Sequence, residues 1–318
     1  MIYAVRHRTT YSYDNEAPFA RCVLRLTPQS SPVQTLEYFA VTVLPQPSRT
    51  DERTGPFGER AITMVIEEGH DTLVVEANSQ VDVHAAAVEH PADSPTLETL
   101  RAMSLGSEDM GFEGPAAFLY PTNRTPLTPA ITDYARLSLK PGRPVIEAAA
   151  ELMGRIRADF TYDPEATNNA TTPGQAFAAR HGVCQDFTNI MICGLRGLGL
   201  PAAYVTGYLR TVPPAGKPRL EGSDASHAWV RLWCGPERGW IGFDPTNNLY
   251  VQNDHITLMA GRDASDTAPI EGVLLGSGEQ ALKVEVDVIP QDDATVLRPS
   301  FAPGPNSPRK PCGAVTNN

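Results

Sequence analysis

The chain has 318 residues, 41% hydrophobic and 20% charged, and its 26 Lys+Arg against 37 Asp+Glu give a formal charge of −11. A chain of this length buries a substantial core and suggests two compact units, while its acidity repels phosphate backbones and anionic surfaces, so neither nucleic acid nor membrane is expected as a partner. No run approaches the roughly 20 apolar residues of a membrane helix, and the start MIYAVRHRTTYSYD alternates like a strand where a secretory signal is continuously apolar, so a cytoplasmic location is expected.

From the start, Tyr3, Val5 and His7 alternate with Ala4 and Arg6, and the runs CVLRLTP, EYFAVTVLP, RAITMVIEE and TLVVEANSQVDVH follow. Each is short, rich in β-branched or aromatic residues, and bounded by turn residues as in PQSSP and RTGPFGER. This predicts an antiparallel β-sandwich over residues 1–88, two sheets burying their alternate apolar positions. Over 89–129 the periodicity is lost and prolines recur, which reads as a linker region with one short helix.

A helical pattern then places Ile146, Ala149, Met153, Ile156 and Phe160 on one face. Thr172 can cap, and Pro173 begin, a short helix through GQAFAAR, which Gly182 is expected to end in a left-handed turn. In QDFTNIMICGLRGLGL the apolar positions Phe187, Ile190, Met191, Leu195 and Leu198 predict a buried helix beginning at or just after Cys184.

Three strands are expected next, AAYVTGYLR, ASHAWVRLWC and GWIGFDPT. The Pro/Gly-rich TVPPAGKPRLEGSD separates the first two, and GPER has the composition of a tight hairpin between the second and third. A last strand, LKVEVDVIP, closes a core spanning 130–296, and the Pro/Ser/Asn-rich residues 297–318 are expected to be a disordered tail. The fold class is α+β.

Five cysteines, at 22, 184, 193, 234 and 312, are odd in number and widely spaced, and no CxxC pair occurs. A disulfide framework is not expected, and the strongest zinc and redox signatures are absent. A special thiol must therefore be recognised by its neighbours.

A cysteine attacks an amide or ester carbonyl as thiolate, so its ordinary pKa of about 8.5 must be lowered by positive potential. A helix N-terminus supplies partial charge and free N–H groups, and a facing imidazolium supplies a full charge. RHGVCQDF places Cys184 at the first, and His227 in SDASHAWVRLW is the candidate for the second. A hairpin turn centred near Pro236 and Glu237 sets His227 opposite residue 246, with Asp244 diagonally beside it on the same face. A carboxylate on one ring nitrogen fixes the tautomer and leaves the other for the thiol.

These segments resemble bacterial transglutaminase-like proteins, a branch of the superfamily that includes animal transglutaminases and papain-like peptidases. GVCQDF is similar to the family's nucleophile motif, ASHAWVRLW to its histidine strand and GWIGFDPTNN to its aspartate strand. The resemblance thus assigns Cys184, His227 and Asp244 as a catalytic triad, on a papain-like/transglutaminase-like core in which the nucleophile helix packs on an antiparallel sheet. YAVRHRTTYSYDNEAPFARCVLRLTPQ and TGPFGER are similar to the family's N-terminal β-domain, and the likeness continues to about residue 290. Two departures stand out: Phe57, Gly58, Glu59 where the family usually has FGN, and Ala178 where papain-like peptidases carry an oxyanion glutamine six residues before the cysteine.

The implied chemistry is acyl transfer on a peptide or protein substrate through a thioester, with the N–H of Cys184 as one oxyanion donor. Hydrolysis is expected, since water needs no second site. Amine transfer and an inactive interaction module are the alternatives. Animal transglutaminases use calcium, but no EF-hand-like loop occurs here, so calcium independence and no cofactor are expected. A three-ligand zinc site at Cys184, His227 and Asp244 is chemically conceivable but lacks a second histidine or cysteine pair.

Other residues have plainer readings. Cys193 and Cys234 read as core and His181 as structural, while Asp186 and Asn189 either shape the site or, the preferred reading, cap and solvate the helix. Trp229 and Trp240 share the face of His227 and Asp244, so they line a substrate groove or simply belong to the core. The oligomeric state is not read from these residues.

Overall fold

A computed structural model describes residues 1–109, 111–211, 225–276 and 278–291. Six strands open the chain: β1 (Ile2–Ala17), β2 (Phe19–Leu24), β3 (Gln34–Leu44), β4 (Arg49–Thr54), β5 (Arg60–Ile66) and β6 (His70–Val83). Helices α1 (Leu97–Leu105), α2 (Pro129–Arg136) and α3 (Val145–Asp159) follow, then strand β7 (Thr161–Tyr162), helix α4 (Pro173–Ala179), strand β8 (His181–Gly182) and helix α5 (Cys184–Gly197). Strands β9 (Ala202–Leu209), β10 (Ala225–Trp233), β11 (Trp240–Asp244), β12 (Leu249–Tyr250), β13 (His255–Gly261), β14 (Ile270–Leu275) and β15 (Gln280–Gln291) complete the order. Among the described residues no helix is long and apolar enough to cross a membrane. The tail expected from 297 onward and most of the loop TVPPAGKPRLEGSD lie outside the described residues.

The alternation at the start of β1 buries Tyr3, Val5, His7 and Thr9 and leaves the residues between them partly exposed. Two four-stranded sheets, in the orders β15-β1-β6-β3 and β14-β2-β5-β4, enclose a common core that includes Val5, Leu24, Met64 and Leu73. Each fully buried aliphatic side chain of this kind contributes roughly 1.5–3 kcal/mol.

This arrangement corrects the expected boundary of the core. The strands after residue 269 do not close the second unit; β14 pairs with β2 and β15 with β1, so both belong to the N-terminal sheets. The reason is edge closure: β1 has β6 on one side only, and β15 satisfies the other side while burying Val286 and Val288. Among the described residues of 89–128 the one α-helix is α1, whose cap Thr96 accepts from the N–H of Thr99 at 3.4 Å.

The second unit is built on the sheet β12-β11-β10-β9-β13, against which α5 packs. Phe187, Met191, Val230, Leu232 and Phe243 lie in the cluster between helices and sheet. Tyr208, Ile256, Leu258 and Met259 of β9 and β13 instead join the cluster of the sandwich, so the two units share buried surface.

Side chains of the first unit also bind the backbone of β13. Gln34 donates to the carbonyl of Thr257 and accepts from its N–H, both at 2.8 Å, as a neighbouring strand would. Gln29 accepts from the N–H of Ala260 at 3.3 Å and donates to Phe57 at 2.8 Å. In the loop carrying the FGE variation, Glu59 is buried and accepts the N–H of Phe57 at 3.0 Å, so the carboxylate closes its own turn.

The corner before α5 differs from expectation. The left-handed residue after α4 is Arg180, with φ of 60°, not Gly182. Its guanidinium lies over the rings of Phe177 and Phe160, at 4.2 and 4.6 Å from the centroids, which helps offset the backbone cost. Gly182 is needed for a different reason: a Cβ there would sit 2.6 Å from the Asp186 carboxylate.

Candidate functional site

Cys184 is the first residue of α5 and is partly buried. The helix starts here because Asp186, in its first turn, accepts the N–H of Val183 at 2.9 Å and the Thr167 hydroxyl at 2.7 Å. Backbone N–H groups of a first helical turn have no intrahelical acceptor, and Cys184 contributes one of them. Ala178 is an exposed residue of α4 and offers no side-chain donor.

The β10–β11 hairpin has the expected register, with Val230 opposite Phe243 and Trp233 opposite Trp240. His227 and Asp244 therefore meet, Nε2 donating to Oδ2 at 2.8 Å with the carboxylate fully buried. Nδ1 is left for the Cys184 side. Burial alone would discharge this imidazole; the hydrogen bond to Asp244 and then the interaction with Cys184 outweigh it, and its pKa is raised to about 10.

Asp244 is held by more than His227. Oδ1 accepts the N–H groups of Thr246 at 3.0 Å and Asn247 at 3.2 Å, while Oδ2 also accepts the Asn247 amide at 2.8 Å and His255 Nε2 at 3.2 Å. Burial by itself would raise the carboxyl; the hydrogen bonds from His227, then His255, reverse this and hold it well below the usual carboxylate range.

His255 and Asn247 were not singled out in the sequence, although PTNN directly after the aspartate is the turn composition that returns side chains to it. The ligand atoms of His227, Asp244 and His255 lie within 4.8 Å of one another, a spacing open to a metal ion. Hydrogen bonds account for the same atoms, since both rings donate to Oδ2. Cys184 is not a member of that cluster.

The tryptophans correct the groove expectation in part. Trp229 is 0% exposed and packs with Val205 and Ala260, so it is core and cannot line an open groove. Its ring is the platform of the site, edge-on to His255 at 5.3 Å between centroids and 6.1 Å from that of His227. Trp240 is half-buried against Phe118, at 5.0 Å between rings, and its indole donates to the Glu113 carbonyl at 2.8 Å. It lies where the first unit touches the second, because Phe57 joins the same cluster.

Cys193 and Cys234 are both 0% exposed, and burial pushes the Cys193 thiol up to about 12 and that of Cys234 higher still. His181 is exposed and donates from Nδ1 to the Ala179 carbonyl at 2.8 Å. Asn189 is buried in α5, not solvating it. A further neighbour is Tyr162, 52% exposed, in the strand β7 that pairs with Gly182 just before the cysteine. Burial and then the Cys184 charge raise its phenol.

Known proteins share this arrangement of segments. Residues 3–82 match the family model of the bacterial transglutaminase-like N-terminal region, and residues 133–245 that of the transglutaminase-like superfamily. An uncharacterised protein of Mycobacterium tuberculosis is 36% identical over 295 residues, 91% of this chain and 92% of its own. An uncharacterised protein of Mycobacterium leprae is 30% identical over 89% of this chain and 97% of its own. A protein-glutamine gamma-glutamyltransferase of Pseudomonas aeruginosa is 31% identical over 127 residues, which are 40% of this chain and 19% of that protein. The crystal structure of a candidate cysteine protease from Cytophaga hutchinsonii has the same fold, with a TM-score of 0.72, 21% identity and 92% coverage of both chains.

Proposed function

Because the chain belongs to the bacterial transglutaminase-like proteins, we propose that it is an enzyme of cysteine-dependent acyl transfer on peptide or isopeptide amides, with Cys184, His227 and Asp244 as its catalytic triad. The observation that carries this reading is the buried 2.8 Å bond from His227 Nε2 to Asp244, which leaves Nδ1 for the thiol at the mouth of α5. Cys184 attacks the carbonyl carbon as thiolate, and the oxyanion is met by the free N–H groups of the helix start. His227 gives its Nδ1 proton to the leaving amine as the C–N bond breaks, and a thioester remains. The second nucleophile then loses a proton to Nδ1 as it attacks, the thioester bond breaks, and the thiolate returns.

With water as second nucleophile the product is a carboxylic acid, and this hydrolytic outcome is the one we favour. The likeness to a protein-glutamine gamma-glutamyltransferase over part of the chain favours a second reading, transfer from a glutamine side chain to a primary amine. An inactive interaction module is the weakest reading, since such a module has no use for a buried, charged His–Asp pair beside a cysteine. A library of glutamine-containing peptides, incubated with and without a primary amine, separates these by product mass. Free acid or cleaved peptide supports hydrolysis, an amine adduct supports transfer, and no Cys184-dependent product refutes the enzyme reading.

A further inference from the structure

We infer that His255 is a positioning residue of the acyl-transfer site, through which the N-terminal sandwich holds the Asp244 carboxylate in place for His227. The inference rests on the acyl-transfer reading above and adds to it a residue beyond the reach of either family model, the second of which ends at 245.

Three observations carry it. The Nδ1 of His255 accepts the N–H of Gln252 at 3.4 Å, which puts the ring proton on Nε2, where it is donated to Asp244 Oδ2 at 3.2 Å. This is the oxygen that His227 uses, so a shift of His255 moves the acceptor of the catalytic imidazole. The ring itself cannot drift: it is 3% exposed and meets the edge of Trp229, which is wedged so tightly over Gly207 that a Cβ there would lie 2.3 Å from the indole.

The chain on both sides of His255 is tied to the sandwich. Before it, the Asp254 carboxylate accepts the Tyr3 hydroxyl of the sandwich at 3.0 Å, and also Arg210 Nε of the core unit at 2.8 Å. After it, Gln34 holds both polar groups of Thr257. A strand at the edge of the core sheet is thereby fixed by residues of the other unit, and His255 carries that constraint to the carboxylate. The same three ligand atoms would be taken by a divalent cation only at the expense of the His227–Asp244 bond, so metal binding and positioning are opposed.

The experiment measures alkylation of Cys184 by iodoacetamide at pH 6, followed by mass on the full chain, which needs no knowledge of the substrate. Wild type, H255Q, H255L, D244N and the D244N/H255L double variant are compared, with circular dichroism to confirm folding. H255L should react about tenfold more slowly than wild type, while H255Q, which keeps an N–H donor at similar reach, should stay within about threefold. The double variant should be no slower than D244N alone, because His255 acts only through that carboxylate. H255L at the wild-type rate, or a further tenfold loss in the double variant, overturns the inference. So does a rate that changes in EDTA, which would assign the three side chains to a metal. If H255L does not fold, H255N replaces it, its shorter amide being expected to give a loss between those of H255Q and H255L; a loss no greater than that of H255Q overturns the inference. A wild-type Cys184 that reacts no faster than glutathione instead refutes the activated nucleophile itself and the inference with it.

Discussion

Two buried histidines, one in each unit, have pKa values displaced in opposite directions. His7 in β1 is 3% exposed and His227 in β10 is 7% exposed, so water is nearly absent from both. Among the described residues His7 has only neutral hydrogen-bond partners, the Tyr208 hydroxyl and the Thr9 hydroxyl, each at 3.0 Å, and burial lowers its pKa to about 4. His227 has Asp244, and its pKa goes up to about 10. Desolvation disfavours the charged ring at both sites; a buried carboxylate, itself held by four other donors, decides whether the ring is charged.

The largest effect should come from erasing that difference. Asp244→Asn makes the environment of His227 resemble that of His7, and acyl transfer or Cys184 alkylation should fall by about a thousandfold, measured as kcat/KM or as a mass-resolved rate. The same substitution should move the alkaline limb of the acylation profile. In the wild type the imidazolium persists until the pH rises through about 10, whereas in D244N the limb should fall below neutrality. A limb that stays in place would mean that His227 is not the general acid.

A smaller effect is expected at the other histidine, with the sign set by its lowered pKa. The folded chain keeps His7 neutral while the unfolded chain takes up a proton near pH 6.5, so stability is complete above that value and declines as the pH falls toward 4. The loss amounts to about 3 kcal/mol, and His7→Asn should remove that dependence, as read from urea midpoints at pH 7.5 and 4.5. The two members of the charged pair act otherwise: His227 contributes stability below its ordinary value that is lost as pH rises through about 10, and Asp244 contributes above the ordinary carboxylate value and is lost in acid.

The smallest test sharpens the comparison from the neutral side. Thr9→Asp places a carboxylate where a hydroxyl meets His7 Nε2, and the titration midpoint of that ring, followed by NMR, should rise by about one to two units. An unchanged midpoint would show that a nearby carboxylate without its own supporting donors does not suffice.

Much of this site was legible because its information is local. The composition GPER set the hairpin and its register, which brought His227 and Asp244 to one face, and the apolar spacing from Phe187 to Leu198 placed Cys184 at a helix start. Parity could not say what lies above that face, so Trp229 was open to a groove reading until β13 and its neighbours were seen to cover it. His255 reaches Asp244 only because the chain crosses from β12 at one edge of the sheet to β13 at the other, a closure that no short-range pattern encodes. The joining of β14 and β15 to the first sheets is hidden for the same reason, since their alternation fits any half-buried edge.

That last pairing has a consequence for biosynthesis. Arg6 and Asp287 are bonded across 281 positions, so the first strand emerges from the ribosome long before its outer neighbour exists. Its open edge must wait through translation of nearly everything between them, a period in which other nascent segments can pair with it. Emergence of β15, more than any early local event, should therefore limit how soon the native state appears.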